Sequence, residues 1–373
     1  MASEEEKRRQ RERFGDQIRH LVPRDEVQRR KQKAKAKRGA LRDKAARRRR
    51  DWDEDDAGFE KMRPRVPDPG NPAAAAGAKL SHAVVVGVHR GHVELDDGRA
   101  ARIAPALLTD PDFALAVGDD VGIVASDDVV RIAAVSPRRT WLVRPDPGNA
   151  HRRLVLAANV DVAVVVVAAA DPPLRPGLVD RFLVALGSGG VVPLVVVNKI
   201  DLVSLAAAHA LDRTLAPYAE LGVNVLRCSA VANEGIDTLR GAIAGKTCVF
   251  VGHSGVGKSA LLNALDPGGH RRTGAVNEHH GRGRHTTTSS RMWLLGDGTR
   301  VIDTPGVRAF GLGNVDPEVL RTGFPDVVAF ASSCRFRDCS HRDENECAVR
   351  TAAASGALSA ARYRSYLRIL AND

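Results

Sequence analysis

The pattern of apolar and polar residues changes twice along the chain. Apolar residues are sparse before residue 78, so this stretch cannot bury enough surface to offset its ordering entropy. From residue 80 to about 135, short Val-rich runs alternate with turn residues such as Asp96-Asp97-Gly98, which is typical of β-strands. From Asn159 onwards, continuous apolar runs such as Val162–Val167 predict strands buried on both faces, as in α/β proteins. The pattern therefore predicts a disordered extension followed by several domains.

The short Val-rich runs predict a small all-β barrel. The predicted strands are Val84–Val88, Gly91–Leu95 and Val121–Val124. We expect an OB-fold over residues 79–138, a fold whose surface often binds RNA. Because this stretch lacks the interleaved aromatic residues on which bases stack, a docking module without nucleic-acid contacts remains the alternative.

The central stretch predicts strands that alternate with helices, as in a mostly parallel sheet, over residues 139–313. The predicted strands are Val162–Val167, Pro193–Val197, Val223–Leu226, Thr247–Val251 and Arg300–Ile302. The predicted helices are Leu178–Leu186, Leu205–Leu221, Gly235–Ile243 and Ala260–Leu265.

A phosphate-binding motif lies between the fourth of these strands and the last of these helices. Its spacing, G-x-x-x-x-G-K-S, is that of the P-loop, whose glycines let backbone N–H groups point at phosphate oxygens. Lys258 is expected to reach the β- and γ-phosphates, and Ser259 to bind Mg²⁺. The expected nucleotide-binding residues here are Gly252, His253, Ser254, Gly255, Val256, Gly257, Lys258 and Ser259.

A base-recognition segment, Asn198-Lys199-Ile200-Asp201, follows an earlier buried strand. The Asp201 carboxylate can accept hydrogen bonds from guanine N1–H and the 2-amino group, a donor pair that adenine lacks. The stem of Lys199 can cover the base, and Asn198 can tie this loop to the phosphate loop. Ser229 and Ala230 stand where backbone N–H groups can meet the guanine carbonyl.

Two further segments indicate a triphosphate sensor. A loop rich in Gly, His and Arg ends in Thr286-Thr287-Thr288, and a threonine here can bind Mg²⁺ only while the γ-phosphate is present. Asp303-Thr-Pro-Gly306 follows a strand, so Asp303 can hold Mg²⁺ through water and the Gly306 N–H can sense the γ-phosphate. In ordinary G-proteins the P-loop precedes the base-recognition segment, whereas here it follows. Because these loops all lie at carboxyl ends of parallel strands, a cyclic reordering of the chain preserves the site.

The C-terminal stretch, residues 314–373, predicts an α-helical zinc domain. Its spacing is C-x4-C-x-H-x5-C, formed by Cys334, Cys339, His341 and Cys347, and three thiolates with one imidazole fit a closed tetrahedral structural site for one Zn²⁺. Nearby arginines, including Arg362, Arg364 and Arg368 on a helical stretch, are candidates for phosphate contacts or for a solvated face.

The charge of the 373-residue chain is unevenly distributed. The formal net charge is +11, but the first 50 residues hold 20 Lys and Arg against 8 Asp and Glu, whereas the rest holds 36 against 37. Such a basic arm favours a polyanionic partner, with a merely solubilising tail as the alternative. The charged N-terminus has no signal-peptide pattern, and the apolar run Val162–Ala170 is too short to span a bilayer. We expect a cytoplasmic protein without a membrane partner.

These motifs together resemble the small-ribosomal-subunit-dependent GTPases of the RsgA (YjeQ) family, from about residue 80 to the end. The similarity rests on Asn198–Leu202, Gly252–Ser259, Gly283–Thr288, Asp303–Gly306 with Phe310–Leu312, the Cys-His set, Ala157–Asp161 and Asp180–Leu183. It implies an OB-fold, a circularly permuted GTPase and a zinc domain. It also implies a role in late maturation of the small subunit, contact with its rRNA, and slow GTP hydrolysis stimulated by the subunit. Other assembly factors are further candidate partners. The family match makes Leu202 a GTP-binding residue.

The position that orients the attacking water in many GTPases carries an unusual residue in this sequence. Many GTPases orient the attacking water with a glutamine after D-x-x-G, but Val307 stands here and cannot bind water. We expect slow intrinsic turnover, with the water oriented by His285 or by the ribosome; the alternative is that His285 only contacts RNA. We expect the protein to be a monomer off the ribosome. The sequence leaves two alternative functions open: a non-catalytic RNA-binding scaffold, and a GTPase that acts on the large subunit.

Overall fold

The computed structural model describes residues 80–89, 91–109, 113–126, 129–146, 149–267, 290–303 and 315–371. The expected extension over residues 1–78 lies outside these ranges. The described strands are β1 (Ser81–Val88), β2 (Val93–Leu95), β3 (Ala100–Ile103), β4 (Asp120–Ser126), β5 (Val129–Val135), β6 (Trp141–Asp146), β7 (Asn149–Ala158), β8 (Val162–Ala168), β9 (Val192–Asn198), β10 (Asn224–Arg227), β11 (Thr247–Val251), β12 (Arg291–Leu294) and β13 (Arg300–Asp303). The described helices are α1 (Pro176–Gly187), α2 (Leu205–Glu220), α3 (Ile236–Ile243), α4 (Lys258–Leu265), α5 (Pro317–Gly323), α6 (Pro325–Ala331), α7 (Ala348–Ser355) and α8 (Ala360–Leu370).

The first five strands close into a barrel. Their hydrogen-bonded order is β1-β2-β3-β5-β4, and β4 pairs back onto β1. All pairings in the barrel are antiparallel except that between β3 and β5, which is parallel. Alternate residues of β1 point inward, and Val85, Ile123 and Ile132 are almost completely buried in the barrel core. The alternating Val-rich pattern thus produces a strand barrel where the sequence predicts one.

The central sheet has the order β10-β9-β8-β11-β13-β12. Its first five strands run parallel, and β12 pairs antiparallel with β13 at the edge. Every residue of β8 is buried, as the continuous run of Val residues predicts for a strand covered on both faces. Because the strands are parallel, the loops after β8, β9, β10, β11 and β13 all emerge at one edge of the sheet.

A buried polar junction joins the barrel to the central sheet. Arg138 donates to both carboxylate oxygens of Asp119, at 2.7 and 2.8 Å, and both side chains are almost fully buried. The Asn159 amide donates to the Gly118 carbonyl at 2.9 Å and accepts from the Arg139 N–H at 2.9 Å. At Gly118 a Cβ would lie 2.0 Å from the Ala158 carbonyl oxygen, so this close approach requires glycine. The junction is therefore held by satisfied polar contacts.

The C-terminal helices are fastened to α1 by a buried arginine. Arg362 of α8 is 1% exposed; it donates to Asp180 of α1 at 2.7 Å and, through two nitrogens, to Asp326 of α6 at 2.6 and 2.7 Å. Its guanidinium also stacks on the Phe324 ring, 4.6 Å from the centroid. The sequence-based suggestion that Arg362 faces phosphates or solvent is therefore wrong. Arg364, two residues further along the same helix, is exposed.

Removal of the Arg362 guanidinium should weaken the packing of α8 against α1. In Arg362→Ala the Asp180 carboxylate stays buried without its cation, so we expect a loss of about 3–5 kcal/mol in the free energy of unfolding. The measurement is urea denaturation followed by circular dichroism. Arg364→Ala on the exposed face of the same helix is the matched control, and an equal midpoint for both variants would contradict the assigned role.

Candidate functional site

One buried side chain joins three loops at the carboxyl edge of the central sheet. Asn198, at the end of β9, is 1% exposed. Its amide nitrogen donates to the Val256 carbonyl of the P-loop at 3.0 Å, and its amide oxygen accepts from the Ala230 N–H at 3.1 Å. The segments after β9, β10 and β11, which the sequence predicts to share one site, therefore contact one another through a single amide.

The base-recognition segment has a defined conformation. Lys199 adopts a left-handed backbone conformation, with φ of 63°, and leads into the short 3₁₀ turn Ile200–Leu202. The Ser229 hydroxyl donates to Asp201 Oδ1 at 2.5 Å and accepts from the Ala232 N–H at 3.0 Å. Ser229 therefore orients the Asp201 carboxylate while its own loop is held in a turn. Leu202 is 55% exposed at the rim.

The P-loop surrounds an ammonium group with backbone carbonyls. Gly252, Gly255 and Gly257 all have positive φ, at 143°, 82° and 93°. At Gly257 a Cβ would lie 2.2 Å from the Asn198 amide nitrogen, so the contact between the two loops depends on glycine there. Lys258, the first residue of α4, donates to the carbonyls of Gly252 at 2.8 Å and His253 at 2.7 Å. The loop thus bends as the glycine spacing predicts.

The other residues that the sequence predicts for the nucleotide divide into two groups. Ser259 lies in the first turn of α4, and Asp303 is the last residue of β13, where it is exposed and pairs across the sheet with Arg291. His253 and Ser254 belong to the tip of the P-loop and are exposed. The remaining candidates, His285, Thr286, Thr287 and Gly306, lie outside the described residues, as do Thr288 and Val307.

Sequence reasoning missed a fifth loop at the same edge, the segment Asp171–Pro173 after β8. The Lys199 ammonium donates to the Asp171 carbonyl at 2.5 Å. A Cβ at Gly255 would be 3.7 Å from the Pro172 ring, which places this segment beside the P-loop. Pro172, Pro173 and Leu174 line a small cleft of about 80 Å³ together with His253 and Val256. The signal that could have found this loop is its position after a fully buried parallel strand.

The four C-terminal metal-binding candidates meet in one cluster. Sγ of Cys334 lies 3.6 Å from Nδ1 of His341 and 3.9 Å from Sγ of Cys347, which is itself 3.6 Å from Nδ1 of His341. A tetrahedral zinc ion with ordinary Zn–S and Zn–N bonds separates its ligand atoms by about 3.8 Å for two sulfurs and about 3.6 Å for sulfur and nitrogen. These residues therefore fit a Cys₃His zinc site.

The pKa values of the cluster residues are shifted in different directions. Burial lowers the pKa of His341, which favours the neutral imidazole that binds metals. Burial raises the pKa of Cys334, but hydrogen bonds from the backbone N–H groups of Val349 and Ala348 and from Cys339 and Cys347 together outweigh it, and the net pKa is lowered. Burial also raises the pKa of Cys339 to about 12. Outside the cluster, burial raises the pKa of Cys228 to about 11 and that of Cys248 to about 12. These two cysteines are inert core residues.

Comparison with known proteins agrees with this geometry. A family model described as RsgA GTPase matches residues 135–313. A Sodalis glossinidius protein named small ribosomal subunit biogenesis GTPase RsgA is 38% identical over 293 residues, which cover 77% of this chain and 84% of the relative. The chain belongs to the RsgA GTPase family. A second RsgA relative, from Flavobacterium psychrophilum, is 36% identical over 69% of this chain and 81% of its own length.

Solved structures of RsgA-like proteins have the same fold. The crystal structure of YjeQ from Thermotoga maritima superposes with a TM-score of 0.64 at 27% identity, covering 78% of this chain and 98% of that one. YloQ, described as a circularly permuted GTPase, gives a TM-score of 0.61 at 26% identity, covering 79% of this chain and 94% of that one. Membership of the RsgA family and the permuted order of motifs, both expected from the sequence, are confirmed. Among the described helices, none has the length and apolar character to cross a membrane.

Loss of the Asn198 amide should loosen the loop after β10. In Asn198→Ala the half-buried Ala230 N–H loses its acceptor, which costs about 1–3 kcal/mol and should speed its exchange about 10-fold or more. Hydrogen–deuterium exchange of the peptide that spans residues 229–232 is the measurement. Asn224→Ala, an exposed position on β10, is the control and should leave that peptide unchanged. Equal exchange in the two variants would contradict the bridging role.

Proposed function

We propose that this chain is a GTP-hydrolysing enzyme that assists late maturation of the small ribosomal subunit. The observation that carries the proposal is the convergence of three nucleotide-type loops on Asn198, in a chain that belongs to the RsgA GTPase family. The relatives at 36–38% identity bear the name small ribosomal subunit biogenesis GTPase, and this chain covers more than four fifths of their length.

The nucleotide in this proposal is GTP, or GDP after hydrolysis. Asp201 accepts from guanine N1–H and the 2-amino group, and its orientation by the Ser229 hydroxyl supports this role. The stem of Lys199 covers the base beside the exposed Leu202. The backbone of Ala230 would lie next to the guanine carbonyl group. Together with Asn198, these residues form the base-binding half of the site.

The phosphate half of the site is the P-loop, residues 252–259. Its three positive-φ glycines and the helix that begins at Lys258 support binding of the β- and γ-phosphates by backbone N–H groups and by the Lys258 ammonium. Mg²⁺ would be held by the Ser259 hydroxyl and, through water, by Asp303. It would neutralise charge that develops on the phosphates during hydrolysis.

Four proposed switch and catalytic residues lie outside the described ranges. Thr286 and Thr287 are the proposed Mg²⁺ and γ-phosphate sensors, Gly306 senses the γ-phosphate through its N–H, and His285 orients the attacking water. The position of Asp303 at the end of β13 supports this arrangement, because the segment after it begins at the same sheet edge as the P-loop.

The three folded domains of the proposal are residues 79–138, 139–313 and 314–373, after a basic extension over 1–78. The strand order and the single parallel pair of β3 with β5 support an OB-fold for the first. For the last, the tetrahedral separations of the Cys334, Cys339, His341 and Cys347 cluster support one structural Zn²⁺. All four positions are protein ligands, so no position is left for a catalytic water.

The partners in this proposal are the small subunit and its rRNA, and further assembly factors on the same particle. The 20 basic residues among the first 50 support contact with rRNA. The GTP state would set the contacts that the barrel and the zinc domain make, and hydrolysis would release the protein. The proposed protein is cytoplasmic, works without a membrane, and is a monomer off the ribosome.

Guanine selectivity can be tested by one amide substitution. In Asp201→Asn the side chain presents a donor to the guanine donors, so affinity for GTP should fall about 10-fold or more while affinity for xanthosine triphosphate rises. Binding of fluorescent analogues of both nucleotides measures the exchange. Asp212→Asn, on α2, is the control that should keep guanine preference. Unchanged GTP affinity in Asp201→Asn would refute the base assignment.

The choice of ribosomal partner can be tested by turnover. Without subunits we expect slow GTP hydrolysis, because Val307 cannot orient water; purified small subunits should accelerate it, and large subunits should not. Phosphate release with each subunit, on wild type and on Ser259→Ala, is the measurement. Turnover that small subunits fail to stimulate would favour a scaffold, and stimulation by large subunits alone would move the function to that particle.

A further inference from the structure

The β1–β2 hairpin of the barrel carries a second group of metal-binding side chains. His89 follows β1, His92 precedes β2 and Glu94 lies within β2, so the spacing is H-x-x-H-x-E. The candidate ligand atoms of the three side chains all lie within 4.8 Å of one another. We propose that His89, His92 and Glu94 bind a divalent transition-metal ion of the zinc class, independently of the nucleotide and of the Cys₃His cluster.

The distance between two of the ligand atoms suits a metal better than it suits a hydrogen bond. His89 Nε2 lies 3.3 Å from Glu94 Oε1. Nε2 is buried and makes no hydrogen bond to the described residues, because the approach to the carboxylate has the distance of an ion pair without hydrogen-bond geometry. A tetrahedral zinc ion with ordinary Zn–N and Zn–O bonds separates such atoms by about 3.3 Å.

A glycine leaves space for the metal ion next to the His89 and Glu94 side chains. Gly87 is in β1, and a Cβ built on it would lie 3.0 Å from Glu94 Oε2 and 3.1 Å from His89 Nε2. A glycine inside a strand weakens it, and its usual reason is the close approach of another group. Here the missing side chain allows a carboxylate and an imidazole to converge over the strand. The His92 ring stacks on that of His89 at 4.7 Å and is exposed, so a rotation of His92 can bring its nitrogen to the ion.

An arginine from the central sheet orients the carboxylate. Arg291 of β12 donates to Glu94 Oε2 at 3.0 Å, which leaves Oε1, the oxygen nearer His89, for the metal. Carboxylate ligands are commonly held by such outer hydrogen bonds. Arg291 is also the residue of β12 that pairs with Gly87. The proposed site thus lies at the seam where the barrel meets the central sheet.

The donor set selects the class of ion. Two imidazoles and one carboxylate suit Zn²⁺, Co²⁺ or Ni²⁺, whereas Ca²⁺ and Mg²⁺ prefer ligand sets made of oxygen. Three protein ligands leave one position open for water or for a group from a partner. The site therefore differs from the closed Cys₃His cluster, and its ion should exchange more readily.

The metal content of the full-length chain tests the proposal. After equilibrium dialysis against micromolar Zn²⁺, we expect His92→Ala to hold one zinc equivalent fewer than wild type, as measured by inductively coupled plasma mass spectrometry. His82→Ala, at an exposed histidine of β1, is the matched control and should equal wild type. Histidines elsewhere contribute equally to all three proteins. Equal zinc content in wild type and His92→Ala would overturn the proposal in favour of a plain ion pair between His89 and Glu94.

A second variant keeps all three ligands and fills the space between them. In Gly87→Ala the added methyl group would crowd the His89 ligand nitrogen and the Oε2 side of the Glu94 carboxylate, so we expect loss of the same single equivalent. Co²⁺ absorption identifies the site, because its bands should lack the thiolate charge transfer of the Cys₃His cluster. Circular dichroism establishes that each variant is folded. A folded Gly87→Ala that retains the full zinc content would overturn the proposed geometry.

Discussion

The candidate site depends on one buried amide. Asn198 contacts both the P-loop and the loop after β10, and it uses its donor for one and its acceptor for the other. A buried amide has to satisfy both groups, since an unsatisfied one costs about 1–3 kcal/mol. The chain meets this demand by placing a glycine, Gly257, where a Cβ would strike the amide nitrogen. The spacing of the three loops is therefore set by hydrogen-bond satisfaction and not by their order along the chain.

That independence from chain order explains how a permuted sequence keeps its site. The loops occupy the carboxyl ends of neighbouring parallel strands, and the sheet order β10-β9-β8-β11-β13 is unaffected by where the chain is cut. Permutation changes which other parts of the chain are joined to the central sheet. The barrel now precedes β8, and its β1 meets β12 at Gly87 and Arg291. Because Arg291 also pairs with Asp303 across β12 and β13, strand β12 connects the barrel to the strand that ends at the proposed Mg²⁺ residue.

The sequence was sufficient for features whose geometry is local. The P-loop, the base-recognition segment and the Cys-His spacing each specify a short conformation, and the long apolar runs specify buried strands. Elements with a weak apolar pattern were missed: β12 is four residues long and begins with a charge, and the β6–β7 hairpin carries no apolar alternation strong enough to mark it. Arg362 was misassigned because an arginine among other arginines on a helix indicates a charged surface, while its buried partner Asp180 lies 182 positions earlier.

The burial of Arg362 also changes how the C-terminal region is attached. Chain connectivity alone ties that region to the segment after Asp303, which is expected to respond to the γ-phosphate. The structure adds a second attachment, because Arg362 bridges α8 to α1, and the Tyr363 hydroxyl of the same helix donates to the His341 carbonyl of the metal cluster at 2.6 Å. Helix α1 itself follows the Asp171 loop that contacts Lys199. Moving the metal cluster relative to α1 would therefore break a buried ion pair, at a cost of several kcal/mol. The response to the γ-phosphate that we propose is therefore expected in the segment after Asp303 and in β12, and not in displacement of the whole C-terminal region.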